Sequence, residues 1–173
     1  YTLNDVVKIN VAKVFELALA ERLGSTPAAA GSEALWDGFC RHLDRAVHCT
    51  VEGIELHLAH QWETAPELVI DLLCHGPIEK GRDASGGGVE FYNMCIDGAG
   101  LATVADSFAA IEQRIESEGV LTWGELAVHL RENFAGPEGA RVRAMLRASE
   151  RYGAGGSRGD AWAVRVSQRF SES

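Results

Sequence analysis

The sequence predicts a helix-rich α/β fold, and three observations carry that prediction. Apolar residues recur at three- and four-residue spacings through about seven segments, as amphipathic helices require. One stretch, Val89-Glu90-Phe91-Tyr92-Asn93-Met94, alternates with period two instead, as a half-buried strand does. Glycine and proline punctuate the chain between these segments, so the connections are short turns rather than long linkers.

The elements follow in order. Asn4 or Asp5 is expected to cap a first helix, because a side-chain oxygen there reaches the free N–H groups of the first turn. Val7, Val11, Val14, Phe15, Ala18 and Leu19 form its apolar stripe, Gly24 stops it, and residues 25–31 are loop by composition. Ser32 is expected to cap a second helix over residues 33–60. Leu35, Trp36, Phe39, Leu43, Ala46, Val47, Ile54 and Leu58 mark its buried side, so it reads as an interior spacer. Pro66 opens a third, residues 66–74, where the missing N–H of proline is harmless; His75-Gly76-Pro77 breaks it. Gly86-Gly87-Gly88 leads into the strand at residues 89–94, and Asp97-Gly98-Ala99-Gly100 leads into a helix over residues 101–118. Thr122-Trp123-Gly124-Glu125 is a capping box that starts a helix to about Phe134. Gly136-Pro137 ends it, a further helix covers residues 138–150, and Asp160 is expected to cap the last. A lone strand leaves its backbone groups unpaired. The missing strands are therefore expected outside this chain, or in a short one that the pattern hides. Tyr1 in place of Met agrees with an excised piece of a larger domain.

Charge and composition narrow the function. Sixteen basic against twenty-five acidic residues, a formal charge of −9, argue against nucleic acid as a partner, which would call for a basic face. No apolar run approaches the ~20 residues of a bilayer span, and no secretory signal is visible, so no membrane association is expected. Cys40, Cys49, Cys74 and Cys95 contain no C-x-x-C pair, which favours reduced thiols in a cytoplasmic protein.

Three constellations invite chemistry. His57-Leu58-Ala59-His60 with Glu63 has helical spacing for a metal, but a site needs further ligands, so solvated histidines are favoured and no metal is expected. Cys40-Arg41-His42 and His48-Cys49 resemble nucleophile–base pairs, yet neighbouring helical residues point in different directions, which rejects them as dyads. The loop at Gly98-Ala99-Gly100 precedes a helix, as phosphate-binding loops do, but matches neither dinucleotide nor P-loop spacing; tight packing is favoured.

Three ordered blocks then carry a resemblance. Ile78-Glu79-Lys80-Gly81-Arg82-Asp83 is followed by Gly86-Gly87-Gly88-Val89-Glu90-Phe91-Tyr92-Asn93, and that by Gly98-Ala99-Gly100-Leu101-Ala102-Thr103-Val104-Ala105-Asp106-Ser107-Phe108-Ala109-Ala110-Ile111. In this order they resemble the I-E-x-G-x-D, G-G-x-x-Y-N and glycine-loop V-A-D-S-L-A-A-I blocks of the glycyl radical enzymes, the pyruvate formate-lyase-like family. Residues 10–19 are similar to the helix that follows the family's catalytic cysteine loop, and residues 148–170, with Arg151-Tyr152-Gly153, to the stretch before its glycine radical domain. The loop Met94-Cys95-Ile96-Asp97-Gly98 departs from many relatives and lacks their Thr-Gly and Gln-Gly.

The resemblance implies that residues 1–173 are part of a ten-stranded α/β barrel, in its C-terminal half before the glycine radical domain. The G-C-x-E cysteine loop and the R-V-x-G-Y glycine loop are not in this sequence. Cys95, Cys40, Cys49 and Cys74 do not stand at the thiyl position, so no catalytic residue is assigned to the chain. Implied for the parent are a lyase or dehydratase acting on a small organic substrate under anaerobic conditions, and an organic glycyl radical installed by a radical S-adenosylmethionine activase. A homodimer is implied as well, with no bound cofactor. Asp5 and Asn10 have the five-residue spacing of an aspartate and asparagine in the diol dehydratases, which makes Asp5 a substrate ligand, with Tyr92 and Asn93 beside it; the alternative is that Asp5 only caps its helix. The other class of reading is a helical scaffold that descends from such an enzyme without its radical machinery.

Overall fold

The computed structural model describes residues 2–24 and 31–173, with side chains from residue 7 onward. The chain order is β1 (Thr2–Asn10), α1 (Val11–Gly24), α2 (Ser32–Thr64), α3 (Leu68–Asp71), α4 (Pro77–Lys80) and a 3-10 turn (Ala84–Gly86), then β2 (Asn93–Ala99) and α5 (Leu101–Ile111). A π-helical segment (Glu112–Ser117), α6 (Trp123–Arg131), α7 (Gly136–Arg147) and α8 (Arg158–Glu172) complete it. This is the helix-rich α/β fold expected. β1 and β2 pair in a two-stranded sheet.

Five local expectations are corrected. Neither Asn4 nor Asp5 caps a helix, because both lie in β1; the cap of α1 is Asn10, whose Oδ1 accepts the Lys13 N–H at 3.0 Å. The strand is Asn93–Ala99, not residues 89–94, and it takes in most of the expected glycine loop. The expected third helix shrinks to Leu68–Asp71, and Pro77 opens α4 rather than ending anything. Gly136 and Pro137 likewise form the first turn of α7. Ser157, not Asp160, caps α8: its hydroxyl accepts the Asp160 N–H at 3.1 Å while the Asp160 carboxylate accepts the Ser157 N–H at 3.0 Å. The expected loop at residues 25–31 lies, except for Gly31, outside the described residues.

By their internal contacts the residues fall into two compact units, Tyr1–Ile9 with Arg45–Asp97, and Asn10–Asp44 with Gly98–Ser173. The second has a well-developed core. Leu35, Phe39, Leu43, Val104 and Phe108 have no solvent exposure, and burying each such side chain contributes about 1.5–3 kcal/mol. Phe15, Trp36, Phe39, Phe108 and Trp162 form one aromatic cluster, in which Phe108 stacks on Trp162 at 4.4 Å. Arg165 lies over Trp36 and Trp162 while its guanidinium forks onto Glu33 at 2.7 and 2.8 Å. The π-helical segment holds the ends of other elements. Glu116 accepts from both the N–H and the hydroxyl of Ser32 at the start of α2, a favourable place for negative charge, and Glu112 accepts the Trp162 indole N–H at 2.6 Å. Phe134, after α6, holds a left-handed backbone (φ 55°), as does Asn133 (φ 51°), a conformation that costs of order 1–3 kcal/mol in a bulky residue.

The first unit is drier of core. Ala84 and Pro77 are buried, but Leu68, Val69, Leu72 and Leu73 around α3 are each at least 67% exposed, as is Phe91.

Candidate functional site

The first two sequence blocks build one loop scaffold ahead of β2. Glu79 turns back on its own helix start, where its Oε2 accepts the Gly76 N–H at 2.9 Å; backbone N–H groups, its own first and then that of Gly76, hold its carboxyl below the usual range. Asp83 is the centre of the scaffold. Its Oδ2 accepts the Glu67 N–H at 2.6 Å, and its Oδ1 accepts the N–H of Ser85 at 2.9 Å and the Ser85 hydroxyl. Burial pushes this carboxyl up, but the Ser85 hydroxyl and the two backbone donors outweigh burial and hold it below its ordinary value. Asp71 reaches the same turn, accepting the Ala84 N–H at 2.7 Å. Gly88 closes it: its N–H donates to the Asp83 carbonyl at 2.9 Å, and a Cβ there would lie 2.8 Å from that same oxygen, so the close approach requires glycine.

This scaffold delivers Tyr92 to the residue before β2. The Tyr92 hydroxyl donates to Glu67 Oε1 at 2.8 Å and accepts from Gln61 Nε2 at 3.1 Å, and Gln61 also donates to Glu67 at 3.0 Å. Gln61 is 6% exposed, an amide buried on α2 for this purpose. Glu67 Oε2 is buried and has no hydrogen-bond partner among the described residues. Asn93 is exposed as the first residue of β2, and Asp5 lies in the neighbouring strand β1, its side chain outside the described residues. The sheet thus brings together the strands that carry Asp5 and Asn93. Gln61 and Glu67 escaped the sequence reading, since α2 read as a spacer and Glu67 as a helix residue; no pattern marks either one.

The third block serves packing. Val104, Ala105, Phe108 and Ala109 face the core, whereas Asp106 turns to the Arg151-Tyr152 segment, accepting Arg151 Nε at 3.0 Å and the Tyr152 N–H at 2.8 Å. Two blocks distant in sequence are therefore one structural feature.

The rejected constellations stay apart. His57, His60 and Glu63 are exposed on α2, and among the described residues no three His, Cys, Asp or Glu side chains are grouped to hold a metal. His42 pairs with Glu21 at 2.9 Å and His48 with Glu52 at 3.3 Å, rather than with a cysteine. Burial pushes the Cys40 thiol up, despite Arg169 nearby. No helix among the described residues is long and apolar enough to cross a membrane.

Comparison with known proteins agrees with these blocks. A glycyl radical enzyme from Archaeoglobus fulgidus matches at 26% identity and a TM-score of 0.79, over 95% of this chain and 22% of that protein. Hydroxyproline dehydratase from Clostridioides difficile, with trans-4-hydroxy-L-proline bound, matches at 21% identity and a TM-score of 0.82, over 95% and 22%. The B12-independent glycerol dehydratase from Clostridium butyricum, with glycerol bound, matches at 18% and 0.81, over 95% and 22%. The chain thus spans about a fifth of the length of these structures. The family described as pyruvate formate lyase-like matches residues 1–173. From its three ordered blocks to its fold, the chain belongs to the pyruvate formate lyase-like family.

Proposed function

We propose that residues 1–173 are an internal portion of a glycyl radical enzyme, from the C-terminal half of its barrel domain ahead of the glycine radical domain. The parent is a lyase or dehydratase of a small hydroxylated substrate. The observation that carries this reading is the 26% identity to a glycyl radical enzyme across 95% of the chain. The apolar face around α3 and the two-stranded sheet among the described residues support it, since such a sheet is marginal alone and such a face calls for cover.

No residue of this chain matches the radical-bearing glycine or the thiyl cysteine, so no step is assigned here to the radical. In the parent the glycyl radical, installed by a radical S-adenosylmethionine activase, supplies hydrogen abstraction through that cysteine. The work of this chain is binding and exclusion of water. Tyr92, held by Glu67 and Gln61, presents a fixed phenol to the substrate; Asp5 and Asn93 accept from and donate to its hydroxyl groups. A carboxylate is a strong acceptor for a substrate hydroxyl in a dry pocket, and accepting from it fixes the orientation of that hydroxyl. The parent is read as a cytoplasmic homodimer of anaerobic metabolism.

The test uses the full-length parent, activated anaerobically. Wild type is expected to show a glycyl radical by electron paramagnetic resonance and to eliminate water from a small diol. Asp5→Asn and Tyr92→Phe are expected to keep the radical and lose about tenfold or more in kcat/KM, roughly 1.4 kcal/mol. Residues 1–173 alone are expected to give no turnover. Absence of the radical in wild type, or turnover by the isolated chain, would refute the reading; unchanged kinetics in both variants would remove these residues from the site.

A further inference from the structure

The hydrogen bonds around Tyr92 run in fixed directions, and Glu67 fixes them. A carboxylate only accepts, whereas a phenol has one proton to give and an amide has two. Glu67 Oε1 accepts the phenol proton of Tyr92 at 2.8 Å and one amide proton of Gln61 at 3.0 Å. The second amide proton of Gln61 goes to the phenol oxygen, 3.1 Å from Nε2. A competing acceptor for the phenol, Gln61 Oε1, lies farther off at 3.3 Å and is uncharged. The shorter bond to the carboxylate therefore keeps the proton.

Glu67 is itself held from behind. Its N–H donates to Asp83 Oδ2 at 2.6 Å, on the scaffold that carries the chain to Tyr92. Gln61 is buried, so water does not compete for its amide. Each of these bonds closes within residues 61–92, so none waits on the rest of a longer protein.

The consequence is chemical. With its only proton committed inside the chain, the phenol offers an arriving ligand lone pairs and nothing else. We propose that Glu67 is a positioning residue that makes Tyr92 an acceptor toward the substrate. The substrate group recognised there is then a donor, a hydroxyl or an ammonium, and not a carbonyl or an ether. A carbonyl in that place sets two acceptors face to face with no proton between them, and a site built for a hydroxyl rejects an analogue that lacks it. This rests on the reading of Tyr92, given above, as a residue that lines the substrate site.

The full-length parent is titrated before activation, so that nothing is turned over. Dissociation constants are measured by ligand-observed nuclear magnetic resonance for propane-1,2-diol and for hydroxyacetone, in which one hydroxyl has become a carbonyl. Wild type is expected to hold the diol about tenfold more tightly. Glu67→Leu frees the phenol proton for the carbonyl and is expected to bring the ratio to about one; the isosteric Glu67→Gln is expected to lower it severalfold. Gln61→Leu loosens the same cluster but leaves the acceptor, and is expected to weaken both compounds in step. Circular dichroism checks that the variants are folded. Equal wild-type affinities for the two compounds would overturn the proposal whatever the variants do. So would a ratio that survives both Glu67 variants, which leaves Glu67 a structural support, or one that Gln61→Leu collapses as far. Tyr92→Phe tells these failures from failure of the site itself. A weakened diol in that variant, with the ratio intact in the Glu67 variants, overturns only the role of Glu67. Two unchanged affinities there, or no binding of either compound to wild type below about 100 mM, overturn the site and this proposal with it.

Discussion

Phe108→Ala is expected to bring the second unit close to unfolding. The ring has no solvent exposure and touches four aromatic neighbours: it stacks on Trp162 at 4.4 Å and meets Phe15 at 4.9 Å and Trp36 and Phe39 at 5.7 Å. Truncating a buried phenylalanine costs about 3–5 kcal/mol, with the larger losses where the cavity cannot collapse. Here α1, α2 and α8 all present rings to the same space, so no single shift fills it. Each aromatic pair is worth about 0.5–1.5 kcal/mol beyond its buried area, which places the loss near the upper end, about 5 kcal/mol. With a urea slope of about 2 kcal/mol per molar, the midpoint falls by about 2.5 M. Urea titration read by tryptophan fluorescence suits the question, because Trp36 and Trp162 lie against the missing ring. Phe91→Ala, at a ring 67% exposed, is the control and is expected to stay within about 0.5 kcal/mol. A midpoint shift under about 0.5 M, or one no larger than the control's, would refute the argument that this ring organises the core.

Two further outcomes follow from local geometry. The Asp160 carboxyl is lowered from 3.8 to about 2, first by the Gly153 N–H and then by those of Ser157 and Gly155, so its contribution is complete above 3.8 and lost as pH falls toward 2; the stability difference between wild type and Asp160→Asn is expected to be full at neutral pH and to vanish across that window, and a difference independent of pH would contradict it. Gly88→Ala, which forces a methyl to 2.8 Å from the Asp83 carbonyl, is expected to lose about 1–3 kcal/mol in thermal or urea unfolding, whereas Gly53→Ala on α2, with open space around it, is expected to gain about 0.5–1 kcal/mol; equal effects would show that the close approach is unimportant.

The helices were legible wherever burial on one face was complete. The stripe of Val11, Val14, Phe15 and Ala18 is buried as the spacing foretells, and the Thr122–Glu125 capping box forms with both of its bonds. The strands were not legible, for opposite reasons. Val7 and Val11 share a helical spacing, so β1 read as the start of α1. In the other case Val89 to Tyr92 have good strand chemistry but are spent on reaching β2, whose own Asp97, Gly98 and Ala99 have poor strand chemistry. Pairing with β1 decides there, as strand formation follows neighbours more than propensity. Helix starts failed by a few residues because Asp160 and Ser157 cap each other, and sequence alone does not say which is outermost. Of the site, the blocks revealed Tyr92 but not its supports, since Gln61 and Glu67 meet it only through the fold.

The bonds from Asp106 to Arg151 and Tyr152 close stretches of 45 and 46 residues. Bringing the ends of such a stretch together costs roughly 3 kcal/mol of chain entropy if nothing between them is ordered. The intervening α6 and α7 form from near-neighbour bonds and shorten the gap before it closes, so the latch belongs late on the folding route. A contact absent from the transition state leaves the rate of folding alone and governs the rate of escape from the folded state. Loss of the Asp106 carboxylate is therefore expected to speed unfolding while the refolding rate stays unchanged, which the two arms of a urea chevron read separately.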